Sequence, residues 1–166
     1  MENYILTLIY ALPLIPIFYF SPERRKYFLL GVFTLLFALP FEIIAVSAGW
    51  WGYFATPQIF SVSVFTLLAY FPWMAYIYFS GNFLAQRLRL GSNLGYGLYG
   101  IFAMLYAGFL FDPVSVWLGY YAFHLQPQVF GVPWVVIAAE AVCVMIVILP
   151  FEFIEEKLGN NSREHK

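Results

Sequence analysis

The chain has 166 residues, 63% of them hydrophobic and only 10% charged, with a formal net charge of −1. Those proportions exclude an ordinary soluble domain, and a handful of scattered basic residues excludes a nucleic-acid-binding face. The apolar runs approach the ~20 residues that cross a bilayer, so the composition predicts an all-α, polytopic integral membrane protein.

In chain order the runs cover residues 4–20, 27–49, 59–79, 94–111 and 132–153, and five transmembrane helices are predicted. The runs are continuous and lack the in-and-out alternation of a membrane barrel. Residues 1–20 have no basic n-region and no small-residue cleavage site before "SPERRK", so they read as a helix, not a cleaved signal peptide. One transmembrane domain therefore spans residues 1–156, and residues 157–166 form a solvated, frayed tail. The basic residues are Arg24, Arg25, Lys26, Arg87, Arg89, Lys157, Arg163 and Lys166, whereas the segments at 1–3, 50–58 and 112–131 carry none. All of them fall on one side of a five-helix chain. The positive-inside rule makes that side cytoplasmic, giving a multi-pass cell-membrane protein with its N-terminus outside and its C-terminus inside.

Two stretches say nearly the same thing. "FEIIAVSAGWWGYFATPQIF" begins at Phe41 and "FDPVSVWLGYYAFHLQPQVF" at Phe111; they share Phe41/Phe111, Val46/Val116, Gly49/Gly119, Pro57/Pro127, Gln58/Gln128 and Phe60/Phe130. Glu42/Asp112, Trp50/Tyr120, Trp51/Tyr121 and Tyr53/Phe123 are like-for-like pairs. This register predicts an internal duplication of a two-helix unit, helices two–three (about residues 31–85) and four–five (about 101–155). Helices two and four both run outward, so the halves are parallel, related by an axis along the membrane normal. The two equivalent acids can then face each other beneath a common loop cap.

An acid inside a membrane helix costs ~2.5–3.5 kcal/mol at a central position and is by default a functional candidate. Glu42 lies several residues inside the second predicted helix, and Glu140 sits at the middle of the last, in "VVIAAEAVCV". Asp112 precedes Pro113 at a predicted helix end, where a structural role is ordinary, but its equivalence with Glu42 raises its standing. The counterpart of Glu140 in the first half is Tyr70, so that site is asymmetric. Glu152, opening the polar run "EFIEEK", reads as interfacial. Aromatic residues gather at membrane interfaces in any case; yet Tyr70, Trp73, Tyr76 and Tyr106 fall within spans, where ring faces can line a cavity and shelter a cation. Trp50, Trp51, Tyr120, Tyr121 and His124 join Tyr70 and Trp73 as candidate substrate-binding residues. Cys143 stands alone and only His165 accompanies His124, so no disulfide framework, metal site or di-iron histidine cluster is predicted. "GYGLYG" at 95–100 opens a membrane helix with no strand before it; its small residues serve packing rather than nucleotide binding.

Buried carboxyls, aromatic walls and no cofactor motif suit acid chemistry on an alkene. A carboxyl in an apolar setting resists ionisation and can act as an acid, and two close together exaggerate this. Protonating an isoprenoid double bond gives a tertiary carbocation that aromatic faces can shelter until water or another alkene captures it. Glu42 and Asp112 are the expected acid and partner, with Glu140 as base or water-orienting group.

The stretches "FE…AGWWGYF" and "FDPVSVWLGYYAF…VFGVPW" are similar to membrane carotenoid-biosynthesis proteins, the group containing carotenoid (bisanhydrobacterioruberin-type) hydratases and heterodimeric or fused lycopene cyclases. The resemblance covers roughly residues 30–150 and rests on Asp112, Pro113, Gly119, Gly131, Val132 and Pro133. Of the cyclase signature Pro-x-Glu-Glu/Asp-x-x-Phe-Phe, "PFEII" keeps only Pro40 and Glu42, so the resemblance implies a lyase-type hydratase before an isomerase-type cyclase. Its implied partners are a hydrophobic carotenoid or isoprenoid substrate and the lipid bilayer, with no cofactor, no metal and no nucleic acid; homo-oligomerisation stays open. The competing expectation is a non-enzymatic transporter or lipid-binding protein using the same acids to gate protons or hold a cation.

Overall fold

The computed structural model describes Tyr19 and residues 23–164; the predicted first helix, residues 4–20, lies outside the described residues apart from Tyr19. Chain order is α1 (Arg24–Ser47), β1 (Trp51–Tyr53), β2 (Gln58–Ile59), β3 (Val62–Ser63), α2 (Val64–Leu88), α3 (Ser92–Ala103), a π-helical stretch (Met104–Phe111), α4 (Asp112–Trp117), β4 (Tyr121–Phe123), β5 (Gln128–Val129), β6 (Val132–Pro133) and α5 (Trp134–Glu164). The protein is mostly helical. Among the described residues, four helical segments are long and apolar enough to cross a membrane: Arg24–Ser47, Val64–Leu88, Leu94–Trp117 and Trp134–Lys157. α1 packs on α2, α2 on α3 and α3 on α5, and α1 meets α5 to close the ring.

Several expected boundaries move. The third predicted helix begins at Val64 instead of residue 59, because residues 58–63 form a β2–β3 hairpin. The fourth runs through Asp112–Trp117 instead of stopping at 111. Pro113 has no N–H to lose at the first turn of α4, and the wide π turn ahead of it closes with Asp112 N–H donating to the Ala107 carbonyl. The tail expected to fray from residue 157 is helical along its backbone to Glu164.

The inter-helix loops, expected to form a common cap, carry the three small ladders found among the described residues, and they take the same form twice. α1 ends in a Schellman motif: Gly49 at φ 72° donates to Val46 and Trp50 donates to Ala45. α4 ends likewise, with Gly119 at φ 73°, Gly119 N–H to Val116 and Tyr120 N–H to Ser115. The next three residues form β1 and β4, which pair with each other antiparallel: Trp51 opposite Phe123, Gly52 opposite Ala122, Tyr53 opposite Tyr121. Each loop then turns through a cis proline, Pro57 or Pro127. The glutamine that follows folds back on its own loop, Gln58 to the Tyr53 and Ala55 carbonyls and Gln128 to those of Phe123 and Leu125. A short hairpin, β2–β3 or β5–β6, delivers the chain into α2 or α5. The β1–β4 pairing sets the C-terminal ends of α1 and α4 side by side at one end of the bundle.

At the other end, Leu30, Met74, Ile77, Val144 and Ile148 are fully enclosed, with Tyr78 stacked on Tyr99 at 5.4 Å. Gly81 sits where any Cβ would overlap the Tyr99 ring, which lets α2 and α3 approach closely. Lys26 at the start of α1 pairs with Glu155 of α5 at 3.2 Å. Glu152, expected to be merely interfacial, accepts a hydrogen bond from the Tyr78 hydroxyl at 2.9 Å.

Candidate functional site

Beneath the paired loops lies a cavity of about 540 Å³. Glu42 of α1, Asp112 at the start of α4 and Glu140 of α5 all line it, so the three acids singled out in the sequence share one chamber. Trp50, Trp51, Tyr70, Trp73 and Tyr121 form part of its wall, and no Lys, Arg or His is among its described lining residues.

Glu42 is 3% exposed and is held by three donors. The Trp51 indole N–H donates to Oε2 at 2.9 Å, the Tyr53 hydroxyl to the same oxygen at 2.7 Å, and the Tyr70 hydroxyl to Oε1 at 2.5 Å. Period-two geometry in β1 explains the first two: residues 51 and 53 project from the same face of the strand, toward the helix that precedes it. Asp112, also buried, accepts one hydrogen bond, from the Tyr121 hydroxyl. Glu140 makes no hydrogen bond to any described residue and reaches the cavity bare.

Tyr53 and Tyr121, opposite each other in the ladder, meet edge to face with centroids 5.4 Å apart. The Glu42 and Asp112 arms are thereby joined across the loop cap. Burial, and next the Glu42 carboxyl, push the Tyr53 phenol well above its ordinary range; burial and then Asp112 do the same for Tyr121. Both hydroxyls stay protonated donors through neutral pH.

Two candidates fall elsewhere. Tyr120 takes no part in the cavity wall; its carbonyl accepts from the Phe54 and Ala55 amides, because it sits one residue out of phase with Tyr121. His124 is exposed, and its backbone N–H donates to the Trp50 carbonyl. Tyr76 and Tyr106, expected as possible cavity aromatics, pair with each other away from the wall at 6.1 Å, and Tyr106 shares a 2.9 Å hydrogen bond with Ser80. Tyr53 is the residue that sequence reasoning missed. It was matched to Phe123 as an aromatic pair, and the signal that would have singled it out is its two-residue spacing from Trp51 in an extended stretch.

Among the described residues the chamber is not sealed on every side. Phe37 and Phe41 of α1, with Val135 and Ile146 of α5, line it while remaining exposed on the apolar exterior, so among the described residues it reaches the outer surface at the α1–α5 seam. Below it lies the enclosed apolar core around Leu30, Met74 and Ile148. Among the described residues no group of three or more His, Cys, Asp and Glu side chains is placed to hold a metal ion. No family model, curated protein or solved structure matches this chain.

Proposed function

We propose that the protein is a membrane enzyme that protonates a carbon–carbon double bond of an isoprenoid or carotenoid polyene and directs water onto the resulting cation. The observation that carries this reading is the convergence of Glu42, Asp112 and Glu140 in an aromatic-walled chamber that reaches the apolar surface. A proton from a carboxylic acid adds to one alkene carbon, leaving a tertiary carbocation at the other. Trp50, Trp51, Tyr70 and Trp73 offer ring faces to that charge. Water then bonds to the cation, and its surplus proton returns to a cavity carboxylate, so one water is added and no electrons are exchanged. Loss of a neighbouring proton instead would give an isomer, the cyclase-type outcome. The seam between α1 and α5, open among the described residues, suits a substrate that arrives from the bilayer.

The same proposal includes the finer architecture. Residues 31–85 and 101–155 descend from a duplicated two-helix unit, and the sequence run 4–20, outside the described residues, is apolar enough for a fifth span. The matched loop geometries of the two halves support the duplication. The basic residues outside the loop end support an orientation with loops and N-terminus outside and the C-terminus in the cytoplasm. A transporter or lipid-binding protein is the second reading. It rests on the same intramembrane acids, but transport requires a polar path between both faces, and the fully enclosed apolar residues under the cavity weigh against it.

The test is mass analysis of lipid extracts from a polyene-producing host with and without this protein. A gain of one water mass on a polyene is the expected result. An isomeric product would shift the reading to cyclisation, and an unchanged lipid profile would turn it to the non-enzymatic alternative.

A further inference from the structure

We propose that the three cavity carboxyls divide their labour: Glu42 is a fixed carboxylate, Glu140 is the carboxylic acid that holds the transferable proton, and Asp112 is tethered beside them by Tyr121. The division follows from counting donors. An indole N–H can only donate, so Trp51 requires a lone pair on Oε2 of Glu42. Tyr53 donates to that same oxygen, which leaves it no room for a proton. On the other oxygen, Tyr70 has no hydrogen-bond partner other than Glu42 among the described residues; were Oε1 protonated and donating to Tyr70, the phenol proton would be orphaned in a buried site. All three contacts are satisfied together when Glu42 only accepts. Three charge-assisted hydrogen bonds also do for a buried carboxylate what water would otherwise do.

Glu140 has none of this support. It faces the same chamber with no donor from any described residue, and an unpartnered carboxylate there would stand as an unsolvated charge near a second one. As a neutral acid it presents an O–H to the cavity with nothing holding it back. The halves differ at this point: position 70 carries a tyrosine that completes the Glu42 clamp, and the matching position 140 carries the acid. Assigning the proton to Glu140 rests on hydrogen-bond geometry alone; its use on an alkene rests on the function proposed above, and the two can fail separately.

Infrared spectroscopy of the purified, lipid-reconstituted protein separates them, because a protonated carboxyl has a carbonyl stretch that an ionised one lacks and that shifts in deuterated water. The expected result is such a band in the wild type, weakened or lost in Glu140→Gln and unchanged in Glu42→Gln. No band in the wild type, a band unchanged in Glu140→Gln, or a band weakened or lost in Glu42→Gln would overturn the assignment. If Glu140→Gln does not fold, Glu140→Asp must move the band, and an unmoved band overturns the assignment equally. These outcomes stand whether or not the protein turns over a polyene. Where it does, Glu140→Gln should lower kcat by ~10²-fold or more, the usual contribution of a positioned acid.

Discussion

Tyr53 and Tyr121 stand directly opposite each other in the β1–β4 ladder, and each donates its hydroxyl to the acid of the helix that leads into its own strand, Glu42 and Asp112. One strand pair thus holds both acids, and the ring contact between the tyrosines couples the two arms.

The first prediction removes one hydroxyl at a time. Tyr53→Phe keeps the ring and its contact with Tyr121 but deletes a donor to Glu42, and should lower stability by ~1 kcal/mol. Tyr53→Ala also removes the ring and should cost ~3 kcal/mol or more. Chemical denaturation in one detergent, followed by circular dichroism, gives both values; a Tyr53→Phe protein as stable as wild type would mean that the hydroxyl holds nothing.

The second concerns alkaline pH. Both phenols are held well above their ordinary range by burial and by a neighbouring carboxyl, whereas the same tyrosines in the unfolded chain ionise near pH ~10. Above that pH the unfolded state has released protons that the folded state keeps, so their contribution to stability is complete below pH ~10 and declines as pH rises beyond it. Melting temperature plotted from neutral to alkaline pH should fall beyond that point, and less steeply in Tyr53→Phe.

The third tests the chamber as the place where substrate sits. Ala139 lines the cavity and Ala138, beside it on α5, is exposed on the outer face. Ala139→Trp should fill part of the 540 Å³ volume and reduce kcat/KM for the polyene by ~10-fold or more, equivalent to ~1.4 kcal/mol of lost binding to the transition state. Ala138→Trp should leave turnover unchanged. Equal kinetics for the two variants would place the substrate elsewhere.

The fourth fixes orientation. Thr56 and Gln126 are exposed in the two loops, and Gln86 is exposed near the end of α2 at the opposite end of the bundle. With Cys143 replaced by Ala, a cysteine at either loop position should react with an impermeant thiol reagent added to intact cells. One at Gln86 should react only after the membrane is opened. The reverse pattern would invert the orientation.

Much of this was legible from local features. Glu42 and Glu140 announce themselves because a carboxyl amid apolar residues is costly wherever it points. Gly49 and Gly119 mark the chain breaks because glycine takes a positive φ at little cost, and Pro57 and Pro127 because the proline ring fixes φ. Asp112 was harder. Asp-Pro reads as a helix end, and nothing local announces the π turn that carries the helix past it.

The sequence by itself determined an apolar, helical membrane chain with two look-alike loops and three candidate acids, since hydropathy and turn chemistry act over a few residues at a time. Only the tertiary structure decided which aromatics serve those acids. Tyr121 reaches Asp112 while Tyr120 takes no part in the cavity wall, a matter of strand phase. Tyr53 reaches Glu42 because β1 is held extended by β4, some seventy residues away in the chain. Strand phase, helix rotation and long-range pairing are set by packing among distant segments, and that is the physical reason a single stretch of sequence does not carry them.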